Sequence, residues 1–197
     1  MKFLVVGSTG LIGSYVAKTL SKHGTVIGVS RTTQISVDVK DPASIKAMYE
    51  KVGKVDAVAS CIGKVAFKPV AELTYEDYLM GLKDKALGQV ELVRAGINFL
   101  NDGGSFTLMT GVLARDPIAS GSVAALANGA IESFTLAAAI DLPRGIRINT
   151  VSPNVLVEAT SYHASFPGFH QVTAQSVADA YVKSILGKQT GQIYKLD

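Results

Sequence analysis

Seven residues near the start of the chain, Gly7-Ser8-Thr9-Gly10-Leu11-Ile12-Gly13, constrain the fold more than any others. They follow the apolar run Phe3-Leu4-Val5-Val6 and precede an amphipathic stretch, Ser14 to Lys22. Strand, tight glycine turn and helix in that order make a dinucleotide-binding unit. The helix N-terminus leaves backbone N–H groups unpaired and carries partial positive charge, so a pyrophosphate fits there. Gly7 permits the sharp turn, Gly10 lets the backbone approach phosphates, and Gly13 lets helix and strand pack closely. The spacing is G-x-x-G-x-x-G rather than the commoner G-x-G-x-x-G. A turn needed only for packing is the alternative reading.

The rest of the chain alternates in the same way. Thr25 to Ser30 reads as a strand. Asp41 is a natural N-cap and Pro42 suits the first position of a helix running to about Val52. Val55 to Ile62 is a strand buried on both faces. Leu73 to Leu100 carries one or two helices, with Thr74 as N-cap, and Gly103-Gly104 breaks the pattern. Ser105–Met109, Ile146–Val151 and Gln192–Leu196 read as strands, Ser122–Ile140 and Ser176–Leu186 as helices. Such alternation predicts an α/β fold, a doubly wound parallel sheet of six or seven strands in a single Rossmann-like domain over residues 1–197. One join is irregular. Only Arg31-Thr32-Thr33-Gln34 separates the second strand from Ile35–Val39, too few residues for a parallel crossover. The helix between strands 2 and 3 is therefore reduced or missing, and the third strand is very short, irregular or not a parallel neighbour of the second.

Composition narrows the partners. Lys and Arg exceed Asp and Glu by only three, with no basic run, which argues against nucleic acid. The single cysteine, Cys61, allows no internal disulfide and suits a reducing, cytoplasmic setting. The short N-terminal apolar run does not read as a signal peptide. Val123–Leu142 is alanine-rich but interrupted by Asn128 and Glu132, so it reads as a buried amphipathic helix, too short in uninterrupted apolar length to span a membrane. No His, Cys and carboxylate cluster has metal-ligand spacing.

Gly145-Ile146-Arg147-Ile148-Asn149-Thr150-Val151-Ser152-Pro153 resembles the R-[IV]-N-x-[VI]-x-P-G segment of the short-chain dehydrogenases/reductases, and the resemblance covers essentially the whole chain. Asp38-Val39 resembles the pair that family members place beside the adenine, and Ser60-Cys61-Ile62-Gly63 stands where they have N-A-G. The resemblance implies a nicotinamide dinucleotide held by Gly7, Ser8, Thr9, Gly10, Leu11, Ile12, Gly13, Asp38, Val39, Cys61, Ile62, Gly63 and the segment Pro153-Asn154-Val155-Leu156. Relatives that prefer NAD end the second strand with an acidic residue. Ser30-Arg31-Thr32 has none, and a guanidinium at Arg31 beside the Thr32 hydroxyl suits the 2′-phosphate of NADP(H).

The family's catalytic set is another matter. Its Tyr donates or accepts the hydroxyl proton, its Lys lowers the Tyr pKa and holds the nicotinamide ribose, its Ser binds the substrate oxygen, and its Asn orders a water. Ala130-Ile131-Glu132-Ser133-Phe134 resembles A-[VIL]-E-[GS]-F and puts Ala124 at the Tyr position and Asn128 at the Lys position. Gly111, with Thr110 beside it, takes the Ser position, and Lys85, in Lys85-Ala86-Leu87-Gly88, takes the Asn position. Lys85 and Asn128 look exchanged, which would keep one ammonium and one amide in the same place; a solvated lysine and a core amide are the alternative. Lys85, Thr110 and Asn128 are the candidate catalytic residues, with Tyr162 or His163 as a donor from the loop after Pro153, and Cys61 as a small buried side chain. Three readings follow: an NADP(H)-dependent oxidoreductase of carbonyls and alcohols with a rearranged site, a non-catalytic NADP(H)-binding sensor or regulatory protein, and a structural partner. The partner expected is a small-molecule substrate or none, with neither nucleic acid nor membrane. The helices over Thr74–Leu100 and Ser122–Leu142 are expected to pair in a homo-oligomer, a dimer or tetramer, as family members commonly do.

Overall fold

The computed structural model describes residues 1–197. Six strands, β1 (Lys2–Val6), β2 (Thr25–Val29), β3 (Val55–Ser60), β4 (Leu100–Met109), β5 (Arg147–Pro153) and β6 (Ile193–Leu196), form one sheet in the order β2-β1-β3-β4-β5-β6. Every pairing is parallel. The helices are α1 (Leu11–Leu20), α2 (Pro42–Val52), α3 (Tyr75–Gly81), α4 (Gly88–Gly96), α5 (Ser122–Asp141) and α6 (Ala174–Leu186). The strand order reverses between β1 and β3, and a crevice opens there at the carboxyl ends of the strands.

The apolar runs explain the layers. Along β1, Phe3 and Val5 face one way and pack with Val16 and Leu20 of α1 and Val177 and Tyr181 of α6. Leu4 and Val6 face the other way and join Met48 and Tyr49 of α2, Leu92 of α4 and Ile131 of α5. All four strand residues are fully buried, and burying each large apolar side chain contributes roughly 1.5–3 kcal/mol. The two buried tyrosines keep their hydroxyls bonded: Tyr49 donates to the Leu92 carbonyl at 2.7 Å and Tyr181 to the Ser60 carbonyl at 2.5 Å.

Local chemistry sets the helix ends. Asp41 accepts from the Ala43 N–H, with Pro42 behind it. Thr74 and Asp77 form a reciprocal capping box at the start of α3. The Arg147-Ile148-Asn149 motif is a clasp between β5 and the end of α6. Arg147 donates to the Ser184 and Ile185 carbonyls at 2.8 Å, and Asn149 to the Ser184 hydroxyl and the Gln189 carbonyl.

The short join after β2 contains no third strand at Ile35–Val39. A single parallel bridge, Ser30 to Ser36, is all that forms. Hydroxyl groups take over the missing pairing: the Ser30 N–H donates to Thr33 Oγ1 at 2.7 Å, and Thr33 Oγ1 donates to the Ile35 carbonyl at 2.8 Å. Three other expectations need correction. Helix α1 begins at Leu11 rather than Ser14, because Gly10 already caps it. Strand β4 runs through Gly103-Gly104, at the cost of a shifted register against β3. Helix α5 is long and apolar enough to cross a membrane by length and composition, with a mean hydropathy of 1.5, so the interrupting Asn128 and Glu132 do not shorten it. Its Ala127, Ile131 and Thr135 are nonetheless buried against the sheet, Val123 packs on Gly81 of α3, and Thr135 shares a 2.7 Å hydrogen bond with Thr150 of β5.

Candidate functional site

Two adjoining cavities lie at the carboxyl end of the sheet, and both are lined by Cys61, Ile62, Gly63 and Lys64. The outer one, about 300 Å³, is bounded by Gly7, Thr9, Gly10, Arg31, Thr32, Asp38 and Val39. The inner one, about 360 Å³, is bounded by Ile12, Lys85, Thr110, Asn128 and the segment Pro153-Asn154-Val155-Leu156.

The glycine turn is shaped by contacts that no other residue could make. Gly7 has a φ of +85°, and a Cβ there would lie 2.6 Å from the Cys61 carbonyl oxygen. A Cβ on Gly13 would lie 2.0 Å from the Gly7 carbonyl oxygen, so α1 can cross β1 this closely only without a side chain. At Gly10 the space beyond the Gly7 carbonyl is open. No side chain caps α1, so its first N–H groups are left for an anion. Ser8, Leu11 and Gly13 do not line either cavity. Ser8 faces Gly28 and the Val29 carbonyl, Leu11 points outward, and Gly13 packs against the turn.

At the far end of the outer cavity, Arg31 forms no ion pair and is exposed. The Thr32 N–H and Ser30 Oγ bond at 3.2 Å, which fixes the backbone beneath it. Asp38 accepts from the Lys40 N–H and donates its own N–H to Ser44 Oγ, so this corner is a rigid turn. The uncapped helix end, the glycine cradle and the free guanidinium together fit a dinucleotide carrying an extra phosphate.

The candidate catalytic residues Lys85, Thr110 and Asn128 all line the inner cavity. Lys85 sits on a π-helical turn, Leu82–Leu87, that joins α3 to α4. Its stem lies over Gly63, where a Cβ would come within 2.6 Å of Lys85 Cγ. Buried Gln89 anchors the turn: it donates to the Lys85 and Met109 carbonyls and accepts from the Met109 N–H at 2.8 Å. Burial pushes the Lys85 ammonium down to about 8, opposed by the neighbouring Asp84 carboxylate. Asn128 is 2% exposed and donates to the Gly111 carbonyl at 3.3 Å, while its Oδ1 has no partner. Lys85 and Asn128 share the cavity without a hydrogen bond between them. Ala124, where a tyrosine would stand, is a bare wall of the same space.

Thr110 is committed more deeply than its sequence suggests. Its hydroxyl donates to Glu132 Oε1 at 2.9 Å, and the same oxygen accepts from Ser152 Oγ at 3.0 Å. Arg115 donates to Ser152 Oγ at 2.9 Å and pairs with the Asp197 carboxylate. Glu132 lies one helical turn beyond Asn128 on α5, so the i, i+4 spacing was the available signal for it. Of the two loop donors, Tyr162 lines the inner cavity and His163 does not, because its Nε2 is bonded to the Leu156 carbonyl at 2.9 Å. Phe67 and Phe166, which sequence reasoning missed, complete the cavity's aromatic wall, and no local pattern marks them. Cys61 is half-buried, with its thiol pushed up to about 12 by burial, which leaves it a poor nucleophile.

A family model described as enoyl-(acyl carrier protein) reductase matches residues 10–191. Among solved structures, the chain is similar to the protein lin1944 from Listeria innocua, with 48% identity, a TM-score of 0.98 and 100% of both chains covered. It is also similar to a small-chain dehydrogenase crystallised in complex with NADPH, at 28% identity and a TM-score of 0.89, over 100% of this chain and 96% of that one. Among curated proteins it is similar to an uncharacterized oxidoreductase of Methylorubrum extorquens, 24% identical over 84% of this chain and 77% of the other. A hydroxynaphthalene reductase of Aspergillus fumigatus is 25% identical over 76% of this chain and 64% of the relative's length.

Proposed function

The chain belongs to the short-chain dehydrogenase/reductase family, and from that premise we propose an NADP(H)-dependent oxidoreductase of carbonyl and alcohol substrates with a rearranged active site. The observation that carries this reading is the unpaired Lys85 ammonium in a cavity continuous with the glycine cradle. One domain, residues 1–197, holds both. The turn Gly7–Gly13 and the uncapped α1 hold the pyrophosphate, Arg31 holds the 2′-phosphate, and Asn128 Oδ1 takes a hydroxyl of the ribose. Bound NADP(H) supplies or accepts hydride. Lys85 stabilises negative charge on the substrate oxygen, and Thr110, oriented by Glu132, bonds the same oxygen when its hydroxyl turns from the carboxylate. A specific observation favours the second reading, a non-catalytic NADP(H)-binding sensor: Ala124 has no proton to give. The free thiol and the lack of any second cysteine favour a reducing, cytoplasmic setting.

Arg31→Ala is expected to weaken NADPH binding by about 1–3 kcal/mol, the scale of a charged hydrogen bond, and to leave NADH binding nearly unchanged. Fluorescence titration of both nucleotides checks this. Wild-type protein that binds NADH as tightly as NADPH contradicts the assignment of Arg31.

We also propose a homodimer or tetramer built on α4 and α5. The outward side of α5 exposes Leu126, Leu136 and, 91% exposed, Ile140, and Leu87 lies exposed at the start of α4. Sedimentation at micromolar concentration is expected to give a dimer or tetramer mass, and a monomer mass refutes it.

A further inference from the structure

We infer that the inner cavity takes a flat aromatic substrate that carries its charge on one oxygen, a quinone reduced to its hydroquinone anion, with Lys85 holding that oxygen. The inference rests on the reading of the site as a reductase and deepens it to a substrate class.

The charges facing the cavity point to an anion. Its lining includes two ammonium groups, Lys64 and Lys85, and no carboxylate. Cys61 and Tyr162 are its other titratable side chains. Asp84 lies on the outer cavity, where it accepts from the Lys64 N–H at 2.8 Å, and Glu132 reaches the inner cavity only through the Thr110 hydroxyl. Lys85 itself donates to no protein group. Lys85 is half-buried, and the carboxylate nearest it, Asp84, lies on the outer cavity, so within the inner one its ammonium has no anionic partner and a substrate oxyanion would supply it.

The walls point to a planar ring. Phe67, Tyr162 and Phe166 border the space together with Val65, Val112 and Leu113. Phe67 and Tyr162 lie 6.0 Å apart, ring to ring, at 54°. An aromatic substrate would gain ring contacts here beyond its buried area.

Acid strength then separates aromatic from aliphatic carbonyls. Reduction of an aliphatic ketone leaves an alkoxide, which needs a proton delivered as it forms. Ala124 and Gly111 offer none, His163 is turned away onto the Leu156 carbonyl, and the Cys61 thiol holds its proton too firmly, so an alkoxide would have to take the proton of Lys85 or Tyr162 as it forms. A quinone avoids that demand. It takes up a hydride, two electrons and one proton, from NADPH, which leaves as NADP⁺. One quinone oxygen becomes a hydroxyl and the other an aromatic oxyanion. That oxyanion titrates near the tyrosine value of about 10, so it is stable beside an ammonium and is protonated in turn by Lys85 or water. Solvent then restores the Lys85 proton.

The test uses 2-naphthol, a phenol that cannot turn over, and reads its ionisation by absorbance across pH on the full-length protein. The bound phenol is expected to ionise at least tenfold more readily than the free one. Lys85→Met is expected to abolish that shift, and Lys85→Arg to restore it. The inference is overturned if 2-naphthol does not bind, if it ionises no more readily when bound, or if Lys85→Met keeps the shift. Should Lys85→Met fail to fold, the wild-type titration and Lys85→Arg decide the matter alone. NADPH binding, measured separately, keeps the two claims apart. NADPH bound without a naphtholate shift sinks only the substrate class, and no NADPH binding sinks the reductase reading.

Discussion

Replacing Gly13 by valine is expected to abolish NADPH binding and to lower the stability of the fold. A Cβ at this position would stand 2.0 Å from the Gly7 carbonyl oxygen, 2.7 Å from its carbon and 3.0 Å from Ser8 Cα. All three are backbone atoms of the turn itself, so no side chain can swing aside. Either α1 lifts from β1, which opens the packing of Val16 and Leu20 against Phe3 and Val5, or the turn moves away from the phosphates. Overpacking of this kind costs about 1–3 kcal/mol and occasionally more. The binding loss is expected to exceed a hundredfold, because several backbone N–H contacts to a charged pyrophosphate, each of about 1.5–3 kcal/mol, are misplaced together. Gly10→Ala is the informative control. Its Cβ would meet only the Gly7 carbonyl, at 3.3 Å, so its folding penalty is expected to be small. Thermal melts and NADPH titration of both variants check the pair, and Gly13→Val binding NADPH within threefold of wild type would refute the cradle.

Lys85→Met is expected to lower the rate of NADPH-dependent carbonyl reduction by about 10²–10³-fold, the effect of removing one preorganised charge aimed at a developing oxyanion. The same substitution should raise the melting temperature, because a half-buried ammonium that bonds no protein group is replaced by an apolar chain of similar length. Opposite signs on activity and stability separate a role in chemistry from a role in folding. The pH dependence follows from the same group. Its pKa lies below the ordinary lysine value, at about 8, so the ammonium form prevails below that pH and is lost as pH rises through it. The reduction rate is therefore expected to fall above about pH 8 in the wild type, and that limb is expected to vanish in Lys85→Met. A variant with the wild-type rate and profile would remove Lys85 from the mechanism.

Sequence patterns local to one element carried the fold a long way. The apolar run Phe3–Val6, the capping residues Asp41 and Thr74, and the glycine turn each report a short-range rule, and each forms as its chemistry requires. The four-residue join after β2 was legible as a conflict, since no crossover fits it, but its solution was not. Ser30, Thr32 and Thr33 satisfy the chain with hydroxyl groups in a way that depends on three-dimensional placement. The site divided similarly. Lys85, Thr110 and Asn128 could be aligned to one cavity, because each sits at a fixed distance from a recognisable segment. What each side chain does there was hidden. The Thr110 hydroxyl is held by Glu132, and the π-helical turn that sets Lys85 is anchored through Gln89 to Met109, contacts that join residues twenty or more positions apart. The aromatic wall of Phe67, Tyr162 and Phe166 comes from two loops with no periodicity to mark them.

The central claim is that this site performs chemistry with NADPH rather than merely binding it. The most direct measurement loads wild-type protein with NADPH and follows loss of nicotinamide absorbance against a panel of aldehydes, ketones and quinones. The account predicts NADPH oxidation with at least one member of the panel, fastest with a quinone, and its loss in Lys85→Met. Tight NADPH binding with no oxidation across the panel, together with activity appearing only when Ala124→Tyr and Asn128→Lys are introduced together, would contradict it and establish the sensor reading instead.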